Sequence, residues 1–149
     1  MLLSSLPPPP PVEVAWIDFQ WCGFGLAATD VAHHICAAVR SEALADDGDL
    51  ALLDHYYGAL CRALVANGVA LDVNDAQARV FPRATLQEQY DTGVLDMCRL
   101  VFSYQWTRVG ANPKRLEAAS RSQNKNSYNK SLKNALWLVA KCDALWVYI

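Results

Sequence analysis

No stretch of this chain stays apolar for the roughly 20 residues that a membrane-spanning helix needs. Its most apolar segment, Trp137–Ile149, is broken by Lys141 and Asp143, so no segment is expected to cross a membrane. Met1–Leu6 carries no positive charge and too short an apolar run for a secretory signal. The five cysteines, Cys22, Cys36, Cys61, Cys98 and Cys142, never stand as C-x-x-C and leave one over from any full pairing. That excludes a disulfide framework and a zinc site. Their apolar neighbourhoods suit buried, reduced thiols, and a cytoplasmic location is expected. G-x-S-x-G, the Walker loop and H-E-x-x-H are all missing. His33 and His34 are neighbours, about 100° apart on a helix, and cannot chelate one metal together. One of the pair should be packed and the other exposed. Neither nucleic acid nor a membrane is expected as a partner.

What is present is a chain of 149 residues, 53% hydrophobic and 19% charged, with five Trp and six Tyr. That is too apolar for disorder, and a domain of this length buries roughly 68–70% of its unfolded surface. The net charge of −2 divides unevenly. Residues 1–112 hold 6 basic and 13 acidic side chains, whereas residues 113–149 hold 7 basic and 2 acidic. The tail cations Lys114, Arg115, Arg121, Lys125, Lys130, Lys133 and Lys141 suit either an anionic partner or a solvated face that complements the acidic body.

Pro7–Pro11 is a run of prolines, which fixes φ and removes amide donors, so residues 1–11 read as an extended polyproline II arm. Such an arm is either a spacer or a ligand for an aromatic groove of SH3 or WW type. Val12–Phe19 then turns β-branched and aromatic, the pattern of a short buried strand. Gly23 and Gly25 punctuate a loop, and Thr29 or Asp30 is placed to cap a helix from Val31, with Val31, Ile35, Ala38 and Val39 on one face. Leu50, Leu53, Tyr57, Leu60 and Leu64 recur at helical steps, and Gly68 is placed to end that helix in a left-handed conformation. A short helical turn is expected at Asp75–Arg79. Thr85 with Glu88 forms a capping box for a long helix reaching about Trp106. Asn112-Pro113 signals another start. A last helix from about Tyr128 should turn Leu132, Leu136, Val139 and Ala140 inward.

The stretch Trp16-Ile17-Asp18-Phe19-Gln20, followed by Gly23, Gly25 and Asp30-Val31-Ala32, resembles a segment of the aminoglycoside-phosphotransferase and choline- and ecdysteroid-kinase-like superfamily. The helix containing Asp54-His55-Tyr56-Tyr57-Gly58 resembles the one that follows in the ecdysteroid-kinase-like branch, where a tyrosine pair packs in the helical subdomain. The resemblance covers residues 14–68 well, and 69–110 by helical pattern alone. It implies a mainly α fold: the helical C-terminal subdomain of a protein-kinase-like fold, with one short N-terminal strand or hairpin. Residues 12–112 would form that partial lobe and residues 113–149 a basic helical segment. By the same resemblance Asp18 matches the metal-binding aspartate of D-F-G, with Gln20 in place of the glycine. It would hold Mg2+ against the phosphates of ATP, as a hard dication prefers carboxylate oxygen. Asp30 would cap the following helix and tie down the Gly23–Gly25 loop.

The departures from the family decide what activity to expect. A glycine-rich nucleotide loop, a strand lysine and an H-G-D-x-x-x-x-N catalytic loop are not in these 149 residues. Without them nothing deprotonates the alcohol of a small-molecule acceptor. The expectation is a fragment of a small-molecule kinase-like phosphotransferase, inactive alone, with no catalytic residue of its own. Asp46, Asp47, Asp49 and Asp54 are candidates to meet a cationic acceptor, and solvated helix ends explain them equally. The alternative is a non-catalytic, pseudokinase-like module that holds a protein through Pro7–Pro11 or the basic tail.

Overall fold

A computed structural model describes residues 23–108, 110, 112–121 and 131–146. Its architecture is helical: α1 (Thr29–Ala38), α2 (Ser41–Leu44), α3 (Gly48–Ala66), α4 (Val73–Asp75), α5 (Arg83–Leu100), α6 (Pro113–Arg121) and α7 (Leu132–Trp146). α4 continues as a π-helical turn over Ala76–Val80, and α5 as a π turn over Val101–Gln105 and a 3-10 turn over Trp106–Arg108. No strand occurs among the described residues. The expected strand at Val12–Phe19 and the proline arm lie outside them.

The principal contact in the fold is α1 against α5. Small side chains make it possible. Ala28, at the cap of α1, and Ala32 within it are fully buried, and a Cβ placed on Gly93 of α5 would stand only 2.7 Å from the Ala32 Cβ. Around this close crossing the core is filled by Leu44, Leu53, Leu86, Tyr90, Val94 and Leu138. α3 packs against α1, α2 and the α4 region, and α7 lies across α5 and α2. The tail therefore contributes to the same core, and the change in composition at residue 113 is not a break in packing.

Chain ends of the helices follow local chemistry. Gly68, at φ +70, closes α3, with the Val69 amide donating to the Leu64 carbonyl at 2.9 Å and the Gly68 amide to Val65 at 3.0 Å. That is a Schellman motif, as the glycine's position suggested. Asn112 accepts from the amides of Lys114 and Arg115 at 3.0 and 3.3 Å, capping α6 with Pro113 at its first position. Two other expected starts move. α1 begins at Thr29 with Ala28 at the cap position and no capping side chain, so neither Thr29 nor Asp30 is the N-cap. Asp30 sits in the first turn, where its charge still complements the helix dipole. α5 begins at Arg83 after Pro82, again without a side-chain cap. Thr85 thus lies inside the helix and forms no capping box; the restricted backbone at proline sets the start instead.

The helix that starts the described fold and the long α3 are joined through a separate short helix. α1 ends at Ala38, and the short α2 intervenes. Asp46 and Asp47 then take left-handed φ of 51 and 60, a conformation that aspartate tolerates better than most residues. Gly48 follows because a Cβ there would overlap the Ala43 carbonyl.

The largest correction concerns α7. Its buried residues are Asn134, Ala135, Leu138 and Cys142, while Leu136, Val139 and Ala140, expected inward, face solvent. Helical periodicity alone admitted both faces, because apolar side chains cover most of this helix. The choice fell to the face carrying Asn134, whose side-chain amide donates to the Val39 carbonyl at 2.7 Å and ties α7 to the end of α1.

Candidate functional site

The loop of Gly23 and Gly25 leads into α1. Asp18, the expected metal ligand, lies outside the described residues. Gly23 and Gly25 are exposed, and a Cβ on either would meet nothing within 4 Å, so the loop does not require glycine for space at these positions. What holds its far end is Tyr56 of α3, whose hydroxyl donates to the Ala27 carbonyl at 3.1 Å. Partial burial and the nearby Asp30 carboxylate raise the Tyr56 pKa, keeping the phenol protonated as that donor. Its neighbour Tyr57, on the buried side of α3, donates to the Phe81 carbonyl at 2.8 Å. The tyrosine pair therefore fastens α3 to two different loops.

The second constellation was not assembled from the sequence. Asp49 is 1% exposed, and its Oδ2 accepts from the Tyr90 hydroxyl at 2.9 Å and pairs with Lys141 Nζ at 2.8 Å. Three elements meet there: the first turn of α3, the middle of α5 and α7. The position in the first turn of α3 also exposes the carboxylate to the positive end of the helix dipole. Burial first, then the negative charge of Asp49, pushes the Tyr90 pKa upward. The Cys36 thiol on α1 is raised to about 12, again by burial first and Asp49 next. Asp49, Tyr90 and Cys36 are thus buried, and the Lys141 ammonium reaches Asp49 from a side chain that stays 18% exposed. Lys141 was read as one of seven tail cations; the clue that separates it is its place within the otherwise apolar run Leu136–Cys142.

The other candidate acidic residues are also accounted for. Asp54 accepts from Arg83 Nε at 2.7 Å, and Asp46 and Asp47 remain exposed in the left-handed turn. In the tail, Lys133 lies 3.6 Å from Glu42. Lys133 and Lys141 thereby realise the complementing of the acidic body by the tail, and they reduce what the tail offers an external anion. His33 is half-buried with Nε2 at 3.5 Å from Asp96 Oδ2, while His34 is exposed. Among the described residues no three His, Cys, Asp or Glu side chains are placed to hold a metal ion. In the same residues no helix is long and apolar enough to cross a membrane.

No family model, no curated protein and no solved structure matches this chain.

Proposed function

We propose that this chain is the helical C-terminal part of a small-molecule kinase-like phosphotransferase, without catalysis of its own. The observation that carries the reading is the Tyr56–Ala27 hydrogen bond. It joins the two stretches on which the family resemblance rests, residues 16–32 and 54–60. Asp30-Val31-Ala32 opens α1, and Ala28 and Ala32 fill its buried contact with α5. The described part of that stretch, from Gly23 on, leads directly into a helical body, which suits a family in which a metal-bearing segment is backed by a helical lobe.

In this reading Asp18 holds Mg2+ and through it the phosphates of ATP, and the helical body is the acceptor side for an alcohol. The chain contains no H-G-D-x-x-x-x-N to orient and deprotonate that alcohol. Phosphoryl transfer rests on positioning and charge stabilisation, so without those groups turnover should vanish. Calorimetry with Mg2+ and ATP on the wild-type chain and on Asp18→Ala tests the metal role. The expected result is magnesium-dependent binding that the substitution removes; equal affinity ends the assignment of Asp18. ATP-dependent phosphorylation of choline or an aminoglycoside is expected to be absent, and robust turnover overturns the non-catalytic part.

A second reading, a pseudokinase-like interaction module acting through the 113–149 segment, is favoured by Leu136, Val139 and Trp146, which α7 leaves exposed along one side.

A further inference from the structure

α7 meets α5, α2 and α6, and its inward face is Asn134, Ala135, Leu138 and Cys142. At about 100° per residue, the opposite face carries Lys133, Leu136, Ala140 and Asp143, with Val139 and Trp146 along one flank. All six are exposed, Leu136 at 61% and Trp146 at 66%. The charges at the two ends of the Lys133–Asp143 stripe are of opposite sign, and the steps between them are those of a helix seam. Such a face is its own complement when turned end for end. We propose that two copies of this chain associate through α7 in antiparallel register, Lys133 of each facing Asp143 of the other and Leu136 of each seated over Ala140 of the other. The inference rests on the second reading above, and it names the partner as another copy of the chain.

Charge decides the direction of the pairing. A parallel pair would set Lys133 against Lys133 and Asp143 against Asp143, whereas the antiparallel pair matches opposite charges at both ends. Lys133 also lies 3.6 Å from Glu42 of its own chain, but the two side chains are 70% and 66% exposed, and an exposed pair holds a lysine loosely. The apolar part between and beside the charges, Leu136, Val139, Ala140 and Trp146, is then withdrawn from water in both copies at once. From Lys133 to Trp146 the face runs about 20 Å along the helix at 1.5 Å per residue. That is a small contact, so the dimer should be weak and concentration-dependent.

Sedimentation equilibrium on the full chain over a wide concentration range should move the average mass from 16.5 kDa toward twice that value. Lys133→Glu and Asp143→Lys should each remain monomeric, because each would pair with itself through two like-charge contacts. An equimolar mixture of the two variants should associate again, because both contacts are then of opposite sign. Hydroxyl-radical footprinting of Leu136 and Trp146 separates this inference from the reading beneath it: both should be labelled in the dilute monomer and protected in the concentrated dimer. Equal labelling at both concentrations, single variants that associate as the wild type does, or a mixture that stays monomeric overturns the self-pairing and leaves the face to a different partner. Protection already present in the dilute monomer means that the face is covered within the chain, and removes the interaction-module reading as well. The wild-type mass and footprint decide the matter even if a variant fails to fold.

Discussion

Lys141 stands in the sequence Leu136-Trp137-Leu138-Val139-Ala140-Lys141-Cys142, where its charge has no local partner. Its partner, Asp49, is on α3, far away in the chain, and Tyr90 on α5 supplies the second hydrogen bond. A carboxylate at 1% exposure survives only because these groups replace its water. Removing one of them leaves a buried charge unmatched, which is the costly case. Lys141→Met is expected to destabilise the fold by about 3–5 kcal/mol, and Tyr90→Phe, which removes one hydrogen bond to the charged group, by about 1.5–3 kcal/mol. The double variant Asp49→Leu with Lys141→Met should recover much of the Lys141→Met loss, since no lone charge remains. Urea unfolding of the wild type, the single variants Lys141→Met, Tyr90→Phe and Asp49→Leu, and the double variant measures this, and a double variant weaker than Lys141→Met by the full cost of Asp49→Leu contradicts the pairing. Nothing in the spacing of Asp49, Tyr90 and Lys141 announces the trio, as each lies on a different helix. The Tyr56–Ala27 bond was half legible: the tyrosine pair was read as a packing feature, but its two separate carbonyl partners belong to loops that sequence cannot place.

At the level of elements, the signals that proved readable were those written in backbone chemistry. Gly68 and Asn112-Pro113 end and begin helices because a positive φ and a capping oxygen are local demands. The start of α5 was misread for an equally local reason, the proline before Arg83 taking precedence over Thr85. Which face of α7 turns inward is decided by α1, through Asn134, and so was not written in α7 itself. Glycines make the distinction testable. Gly93 sits where α1 and α5 touch, and its added Cβ would press on Ala32 at 2.7 Å. Gly58 lies in α3, where a Cβ would meet only the flexible end of Arg62 at 3.4 Å. Gly93→Val is expected to cost about 1–3 kcal/mol by forcing the helices apart. Gly58→Ala should instead stabilise by about 0.5–1 kcal/mol through helix propensity and the entropy of the unfolded chain. Thermal melts followed by circular dichroism read both signs, and a harmless Gly93→Val means that α1 and α5 are not held at this distance.

At the scale of the whole molecule, the interior of the described residues holds neutral acids, among them Tyr90, Cys36 and Cys142. Burial is the leading cause in each case, and each folded pKa is raised above its ordinary value. In the unfolded chain the thiols return to about 9.0, while in the folded chain Cys36 and Cys142 hold their protons to about 12. Between those values the unfolded state binds fewer protons than the native state, so stability falls as pH rises. The stabilisation is therefore complete below the unfolded value and lost on the way to the folded one. On the acid side the opposite sign applies to Asp75. Its hydrogen bonds from Arg79, then from the Leu71 amide, lower its pKa to about 2. That contribution is present above the ordinary carboxylate value and fades as pH drops through about 2, and it is small because Arg79 is exposed and solvent screens the pair. The two ends of the pH scale should therefore behave unequally. A urea midpoint followed against pH is expected to decline from about 9 toward 12, and Cys36→Ala should flatten that decline by removing one of the thiols whose proton the fold protects. A midpoint that stays level through this alkaline range, or a decline unchanged by Cys36→Ala, would place Cys36 in contact with water, against the burial that the packing of α1 gives it.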